Sequence, residues 1–163
     1  MKRKLTAVAL AAATVTGGVV AATPAQAAQF WNFRNAVSGA CLDSNANGSA
    51  YVLACNGGAY QKWEWVSGGA NSGKLLKNRA TGRCLAYNDQ QSVSTQSCAS
   101  GSVKQSWFYN TSKYYLIGGG YSSYPDTALK LQFVSTKGLR VIQQSPPNGT
   151  YNDLIWHPYA VGA

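Results

Sequence analysis

Two short stretches, Gln61-Lys62-Trp63 and Gln105-Ser106-Trp107, decide the fold because they repeat one pattern at matching distances from cysteines. The chain has four cysteines: Cys41, Cys55, Cys84 and Cys98. Corresponding cysteines lie 43 residues apart, the two tryptophans lie 44 apart, and Trp156 follows 49 residues later. Such a period predicts one supersecondary unit repeated three times, because neighbouring units can bury together the apolar faces that one unit cannot bury alone.

Each unit contains four short runs of β-branched, aromatic or alternating apolar residues, separated by turn-forming Gly, Asn, Ser and Asp. The predicted strands are 30–35, 40–43, 50–55 and 61–66 in a first unit (about 30–68), 74–79, 83–87, 92–98 and 105–110 in a second (about 69–111), and 113–118, 128–133, 139–144 and 154–158 in a third (about 112–163). No stretch after residue 27 has a convincing helical period, so helix should be nearly absent. The sequence therefore predicts an all-β domain of twelve short strands, as a closed barrel with a hairpin cap; a three-bladed propeller is the alternative, with too few blades to close well.

The first 27 residues have the pattern of a secretory signal peptide. Lys2, Arg3 and Lys4 precede an apolar, alanine-rich run that ends at Ala22, and Ala25-Gln26-Ala27 supplies small residues for cleavage. The run is too short and too rich in alanine to predict a membrane anchor with confidence. We therefore expect a secreted, extracellular domain of residues 28–163, without membrane insertion.

Cysteines in an exported chain are expected to pair. The repeated spacing of 14 residues favours Cys41–Cys55 and Cys84–Cys98 over the other two connectivities, and each bridge would contribute roughly 3 kcal/mol in the chain-entropy model. Zinc binding is the competing interpretation, but there is no CxxC pair and the single histidine, His157, is distant in sequence. The prediction is two disulfides, no metal and no cofactor.

Charge and composition argue against two function classes. The net charge is +9, but the basic residues after the leader are scattered singly, without the stripe that marks a nucleic-acid surface. The acidic residues after the leader fall at unrelated positions of the repeat, so no pair of catalytic carboxylates is indicated. His157 lacks a matching nucleophile and acid. The acidic residues are Asp43, Glu64, Asp89, Asp126 and Asp153. We expect neither an enzyme nor a nucleic-acid-binding protein.

The repeated Gln-x-Trp stretches with their cysteines resemble the QxW signature of ricin B-type lectins. The resemblance covers nearly all of the chain after the leader, but it is faint in the third unit, where Leu154-Ile155-Trp156 has lost the glutamine and both cysteines. It implies a β-trefoil of three pseudo-symmetric four-stranded units that binds a glycan or polysaccharide. Recurrence at the repeat period assigns the tryptophans and glutamines to the core: Gln61, Trp63, Gln105, Trp107 and Trp156.

The first unit is closest to the repeats of actinohivin-like, mannose-binding lectins of this family, through Leu42-Asp43-Ser44-Asn45, Tyr51 with Leu53, and Asn56-Gly57-Gly58 before Tyr60. That resemblance implies a sugar site in which Asp43 accepts hydrogen bonds from hydroxyls and Asn56 adds a donor and an acceptor. Tyr51 and Tyr60 would supply aromatic walls, with Leu53 between them. The residue types fit independently, because a sugar has a polar rim of hydroxyls and an apolar face of C–H groups.

Other interpretations of these residues remain open. Asp43 could be an ordinary turn residue, and the tyrosines could be packing residues. Alignment on cysteines and tryptophans places Ala86, Ser94, Ala99 and Lys104 at the four polar and aromatic site positions of the second unit. It places Lys130, Gln143, Asn148 and Asp153 there in the third. One sugar site is therefore predicted, in the first unit, with the oligomeric state and the sugar undetermined.

Two other functions use the same fold. The glycine- and tyrosine-rich insertion Gly118-Gly119-Gly120-Tyr121-Ser122-Ser123-Tyr124-Pro125 could bind another protein, as in an interaction or inhibitor protein. The domain could also be a targeting module that acts beside a separate glycoside hydrolase.

Overall fold

A computed structural model describes residues 28–119, 129–135, 138–142 and 152–162. The predicted signal peptide and residues 120–125 of the glycine-rich insertion lie outside these described residues. The described part of the chain forms twelve β-strands, in agreement with the prediction from the sequence. They are β1 Phe30–Asn35, β2 Cys41–Ser44, β3 Ala50–Leu53, β4 Trp63–Val66, β5 Lys74–Asn78, β6 Cys84–Tyr87, β7 Val93–Gln96, β8 Ser106–Asn110, β9 Tyr115–Gly118, β10 Leu129–Phe133, β11 Leu139–Ile142 and β12 Trp156–Val161.

Six strands, two from each unit, form a closed barrel. β1 pairs with β12 and β4, β5 pairs with β4 and β8, and β8 pairs with β9, all antiparallel. A bridge between Tyr115 and Ile155 links the third unit's two barrel strands and closes the ring. The other six strands form the hairpins β2–β3, β6–β7 and β10–β11. The architecture is a β-trefoil.

The three repeat tryptophans lie at equivalent positions in the core. Trp63, Trp107 and Trp156 are fully buried. Each indole N–H donates to a leucine carbonyl on the second strand of its own unit, at Leu42 (3.0 Å), Leu85 (2.8 Å) and Leu131 (3.0 Å). Because a buried indole needs a partner for its N–H group, these bonds fix how each hairpin sits against the barrel. They also define which residues of the three units are structurally equivalent.

The fourth strand of each unit begins later than the sequence predicts. Single turns of 3-10 helix occupy Ala59–Gln61, Val103–Gln105 and Asn152–Leu154. In the first turn the Lys62 N–H bonds to the Ala59 carbonyl, so the chain closes on itself before it becomes extended. The predicted strands 61–66, 105–110 and 154–158 were therefore wrong at their first one or two residues.

Both disulfides have the connectivity expected from the spacing. Cys41 bonds to Cys55 and Cys84 to Cys98, each with a Cα–Cα distance of 5.0 Å. Each bridge joins the second strand of its unit to the loop after the third strand. In the described part of the chain no helix is long and apolar enough to cross a membrane. The same residues contain no cluster of three or more His, Cys, Asp or Glu suited to a metal ion.

Candidate functional site

The first unit carries an open cavity of about 430 Å³ between the β2–β3 hairpin and the loop that follows β3. All five residues singled out in the sequence line it: Asp43, Tyr51, Leu53, Asn56 and Tyr60. The turn 44–47 and Gly58 complete the lining. Residues from two strands and two loops thus converge on one surface depression, of a volume typical of small-molecule sites.

The hairpin register brings three of these side chains to one face. Asp43 on β2 is directly opposite Tyr51 on β3, and directly opposed residues of an antiparallel pair project to the same side. Leu53 lies two residues after Tyr51, which returns it to that side because strand side chains alternate. The Cys41–Cys55 disulfide then ties the end of β3 to the start of β2, so the loop that bears Asn56 stays beside the hairpin.

Asp43 is held in place by the glutamine of the repeat motif. Its side chain is only 3% exposed, yet it borders the cavity, and its Oδ2 accepts a hydrogen bond of 2.9 Å from Gln61 Nε2. The same Nε2 donates to the Ala54 carbonyl (3.0 Å), and Gln61 Oε1 accepts from the Asn56 N–H (2.9 Å). Gln61 therefore belongs to the core and also positions Asp43, a role the sequence analysis missed.

Tyr51 and Tyr60 differ in how their rings are held. The Tyr51 hydroxyl donates to the Ser44 carbonyl at 3.2 Å, which fixes the ring across the hairpin. Burial raises the pKa of the Tyr51 hydroxyl, and the Asp43 carboxylate beside it raises this pKa further, so the phenol stays neutral. Tyr60 is 45% exposed, while its backbone carbonyl accepts a 2.7 Å bond from Asn78 Nδ2 of the second unit. Its ring projects from a fixed backbone.

Asn56 has less free hydrogen-bonding capacity than the sequence suggested. Its Oδ1 already accepts the Gly58 N–H at 2.8 Å in a local turn. A Cβ atom at residue 58 would lie 2.9 Å from that oxygen, so any other residue there would displace the Asn56 amide from this bond. The side chain keeps its two NH₂ donors and the second lone pair of Oδ1, so the donor and acceptor roles expected of Asn56 stay a prediction.

The equivalent position in the second unit has a different character. Ala86 is paired with Ser94 as Asp43 is paired with Tyr51, in agreement with the sequence alignment. Lys104 stands three residues before its tryptophan, as Tyr60 does, and its ammonium group lies 2.7 Å from Asp89 Oδ2 in an exposed ion pair.

In the third unit the alignment from sequence was wrong at two positions. The residue after Leu131, whose carbonyl accepts the Trp156 indole bond, is Gln132, and it is paired with Arg140. These two, not Lys130 and Gln143, correspond to Asp43 and Tyr51. Gln132 accepts from Arg140 Nε (2.6 Å) and donates to Asp153 Oδ2 (2.5 Å), so these polar groups bond to one another. Asn148 and Gln143 lie outside the described residues.

Comparisons with known proteins give a consistent result. A family model described as a ricin-type beta-trefoil lectin domain matches residues 29–151. The chain is similar to the beta-trefoil lectin of the Vibrio vulnificus hemolysin/cytolysin, solved with N-acetyl-D-lactosamine bound: identity is 21%, the TM-score is 0.62, and the match covers 84% of this chain and 98% of that one.

Two further solved structures share the architecture. The GlcNAcα1-4Gal-releasing endo-β-galactosidase of Clostridium perfringens matches with a TM-score of 0.66 at 18% identity, over 82% of this chain and 33% of that one. The designed threefold-symmetric protein ThreeFoil matches with a TM-score of 0.58 at 21% identity, over 79% of this chain and 96% of that one. At such identities these structures establish the β-trefoil fold alone.

Proposed function

The chain belongs to the ricin-type β-trefoil lectin family, and from that premise we propose that it is a secreted lectin that binds a glycan through one shallow site in its first unit. The observation that carries the proposal is the convergence of Asp43, Tyr51, Leu53, Asn56 and Tyr60 on one cavity. The signal-peptide pattern of the first 27 residues and the two disulfides support secretion.

The chemistry of the cavity matches the two sides of a pyranose. The Asp43 carboxylate has acceptor capacity beyond its bond from Gln61 and its interaction with the Tyr51 hydroxyl, so it can accept from sugar hydroxyls. The Asn56 amide can donate to hydroxyl oxygens on the same rim. The rings of Tyr51 and Tyr60 offer flat apolar area to the C–H face at small entropic cost, because each has only two side-chain torsions.

A single site of this kind predicts weak binding to a free monosaccharide. The counterparts of Asp43 are Ala86 in the second unit and Gln132 in the third. The Gln132 side chain is bonded to its neighbours Arg140 and Asp153. One shallow site should give a dissociation constant on the order of millimolar, about −4 kcal/mol. Useful affinity would come from self-association or from a ligand with many copies of the sugar, because linked binding events multiply affinity.

The proposal is tested by titrating the domain of residues 28–163 with mannobiose, galactose and xylo-oligosaccharides while amide shifts are recorded by NMR. We expect residues 43–61 to shift for the sugar that binds, and for a monosaccharide the shifts should be confined to them. Asp43→Ala should weaken binding at least about tenfold, because a hydrogen bond to a charged group contributes about 1.5–3 kcal/mol. Asp89→Ala is the matched control, since it removes an exposed acid of the second unit and should leave the affinity unchanged.

Two outcomes would count against the proposal. Equal affinity of Asp43→Ala and the unaltered domain would mean that the carboxylate does not contact the sugar. Capture of a protein partner without any glycan binding on an array would favour the interaction-protein alternative. A targeting role beside a separate hydrolase would use the same cavity and give the same shifts.

A further inference from the structure

A second depression adjoins the candidate sugar site and shares two of its walls. It has a volume of about 460 Å³, and Ala46 and Tyr60 line both cavities. The rest of its lining comes from the second unit: Ala80, Thr81, Gly82, Arg83, Ser97 and Cys98. The two cavities therefore adjoin across the seam between the first and second units, with Tyr60 on the wall that they share, and we refer to them together as the groove.

Hydrogen bonds across the seam connect the two units next to this groove. The Thr95 N–H donates to the Gly48 carbonyl at 2.7 Å, and Arg83 donates to the Thr95 carbonyl from both Nε (3.1 Å) and Nη2 (2.8 Å). A Cβ atom on Gly48 would lie 2.9 Å from Arg83 Nη2 and from the Thr95 carbonyl, so only glycine allows this approach. The hairpin turn of the first unit is thus locked onto the second unit.

Asn78 holds both Tyr60 and the turn at residues 80–81 that lines the second cavity. Asn78 Nδ2 donates to the Tyr60 carbonyl, and Asn78 Oδ1 accepts the N–H groups of Ala80 (3.1 Å) and Thr81 (3.2 Å). The tyrosine between the cavities and the turn that lines the second cavity are therefore positioned by one buried side chain. Such a groove needs little rearrangement to receive a ligand, which lowers the entropic cost of binding.

The second cavity is polar and suits a hydroxylated ligand. Ser97 contributes a hydroxyl group, and Arg83 keeps N–H donors beyond the two bonded to Thr95. The Thr81 hydroxyl is already bonded within its turn, to Asn78 Oδ1 (3.3 Å) and from the Arg83 N–H (3.2 Å). No carboxylate of the described residues forms an ion pair with Arg83. A guanidinium with spare donors beside hydroxyl groups is suited to the acceptor oxygens of a sugar.

We propose that the two cavities are consecutive subsites of one groove, and that the ligand is an oligosaccharide with two linked sugar residues on either side of Tyr60. This inference rests on the proposed function, because it assumes that the first cavity binds a sugar. It makes the preferred ligand a glycan chain of two or more residues, bound along its length, and not a lone monosaccharide. At the seam between the second and third units, the position equivalent to Tyr60 is occupied by Lys104, which is paired with Asp89.

The test compares the monosaccharide, disaccharide and trisaccharide of whichever series in the panel binds, by calorimetry or NMR. We expect the disaccharide to bind at least about tenfold more tightly than the monosaccharide. Ala80→Trp fills the second cavity at an exposed position and should abolish this gain while leaving the monosaccharide affinity unchanged. The matched control is Val37→Trp, because Val37 is 57% exposed and its N–H bonds to Asn35 Oδ1 as that of Ala80 bonds to Asn78 Oδ1.

A second measurement uses the unaltered domain and does not depend on a variant folding. The amides of residues 80–83 and 97 should shift on addition of the disaccharide and not of the monosaccharide. Equal affinities for the two sugars, or a gain that survives Ala80→Trp, would overturn the two-subsite inference and leave the single-site proposal standing. Absence of binding by every sugar in the panel would instead overturn the proposed function, and this inference with it.

Discussion

Replacing Gln61 with leucine tests whether the repeat glutamine supports the binding site as well as the core. A leucine can occupy this place, because the equivalent residue of the third unit is the fully buried Leu154. The matched control is Gln105→Leu in the second unit. Gln105 makes the same two backbone bonds, to the Ser97 carbonyl (2.9 Å) and from the Ala99 N–H (2.8 Å), without a carboxylate partner.

The structure gives the expected difference between the two variants. Each loses two hydrogen bonds to backbone groups at partly buried sites, a cost of roughly 2–4 kcal/mol in the free energy of unfolding when the partners are left unpaired. Gln61→Leu also removes the bond to the Asp43 carboxylate, and bonds to charged groups contribute about 1.5–3 kcal/mol. We therefore expect Gln61→Leu to be less stable than Gln105→Leu by about 2 kcal/mol.

Urea unfolding followed by tryptophan fluorescence, with the disulfides intact, measures this difference. The same samples should be titrated with the sugar that binds the unaltered domain. Gln61→Leu should bind several-fold more weakly because Asp43 loses its anchor, whereas Gln105→Leu should bind as well as the unaltered domain. Equal losses of stability in the two variants, with equal affinities, would refute the positioning role of Gln61.

Three further perturbations test the frame around the site. Burial holds the pKa of the Tyr109 hydroxyl well above its usual value of about 10, so above that pH the unfolded chain binds fewer protons than the folded one. The contribution of Tyr109 to the free energy of unfolding is then fully present below pH ~10 and is lost as the pH rises above that value. Tyr109→Phe should therefore reduce the dependence of the free energy of unfolding on pH above ~10, measured by urea unfolding. An unchanged dependence on pH would contradict the raised pKa of Tyr109. Replacing Cys84 and Cys98 together by serine should lower the free energy of unfolding by about 3 kcal/mol, measured in urea, and a loss below about 1 kcal/mol would contradict the expectation. Trp107→Phe leaves the buried Leu85 carbonyl without its indole donor and should lower the melting temperature of the domain; an unchanged melting temperature would show that this bond contributes little.

The fold could be predicted because its determinants recur in the sequence at a fixed period. Trp63, Trp107 and Trp156 mark the same place in each unit, and the cysteine spacing marks the hairpin next to it. A residue type that recurs at the repeat period reports a position in a symmetric core, so repetition supplies the information that an alignment would normally give. The 3-10 turns could not be predicted, because a hydrogen bond between residues 59 and 62 leaves no composition signal.

The residues of the candidate site could be predicted from the sequence, but the hydrogen bonds that position them could not. Alternation along β3 and the opposed pair Asp43 and Tyr51 follow from strand geometry, and the cavity gathers the five expected side chains. The binding role of these residues stays a prediction. The bond from Gln61 to Asp43 joins residues 18 apart and depends on the final packing. The third unit was misaligned because the cysteines that anchored the other two units are missing there.

The fold also explains why two of the three units could lose the predicted sugar-binding residues without losing the trefoil. The indole bonds of the tryptophans end on backbone carbonyls, which every residue type supplies, so the core places no demand on the residue after each leucine. That residue is Asp43 in the first unit, Ala86 in the second and Gln132 in the third. Among the residues that the structure describes, a core side chain bonds to it only in the first unit, where that side chain is Gln61. The residue at this position can therefore differ from unit to unit while the shared core persists, and the unit with an acid there is the one whose glutamine is bonded to it.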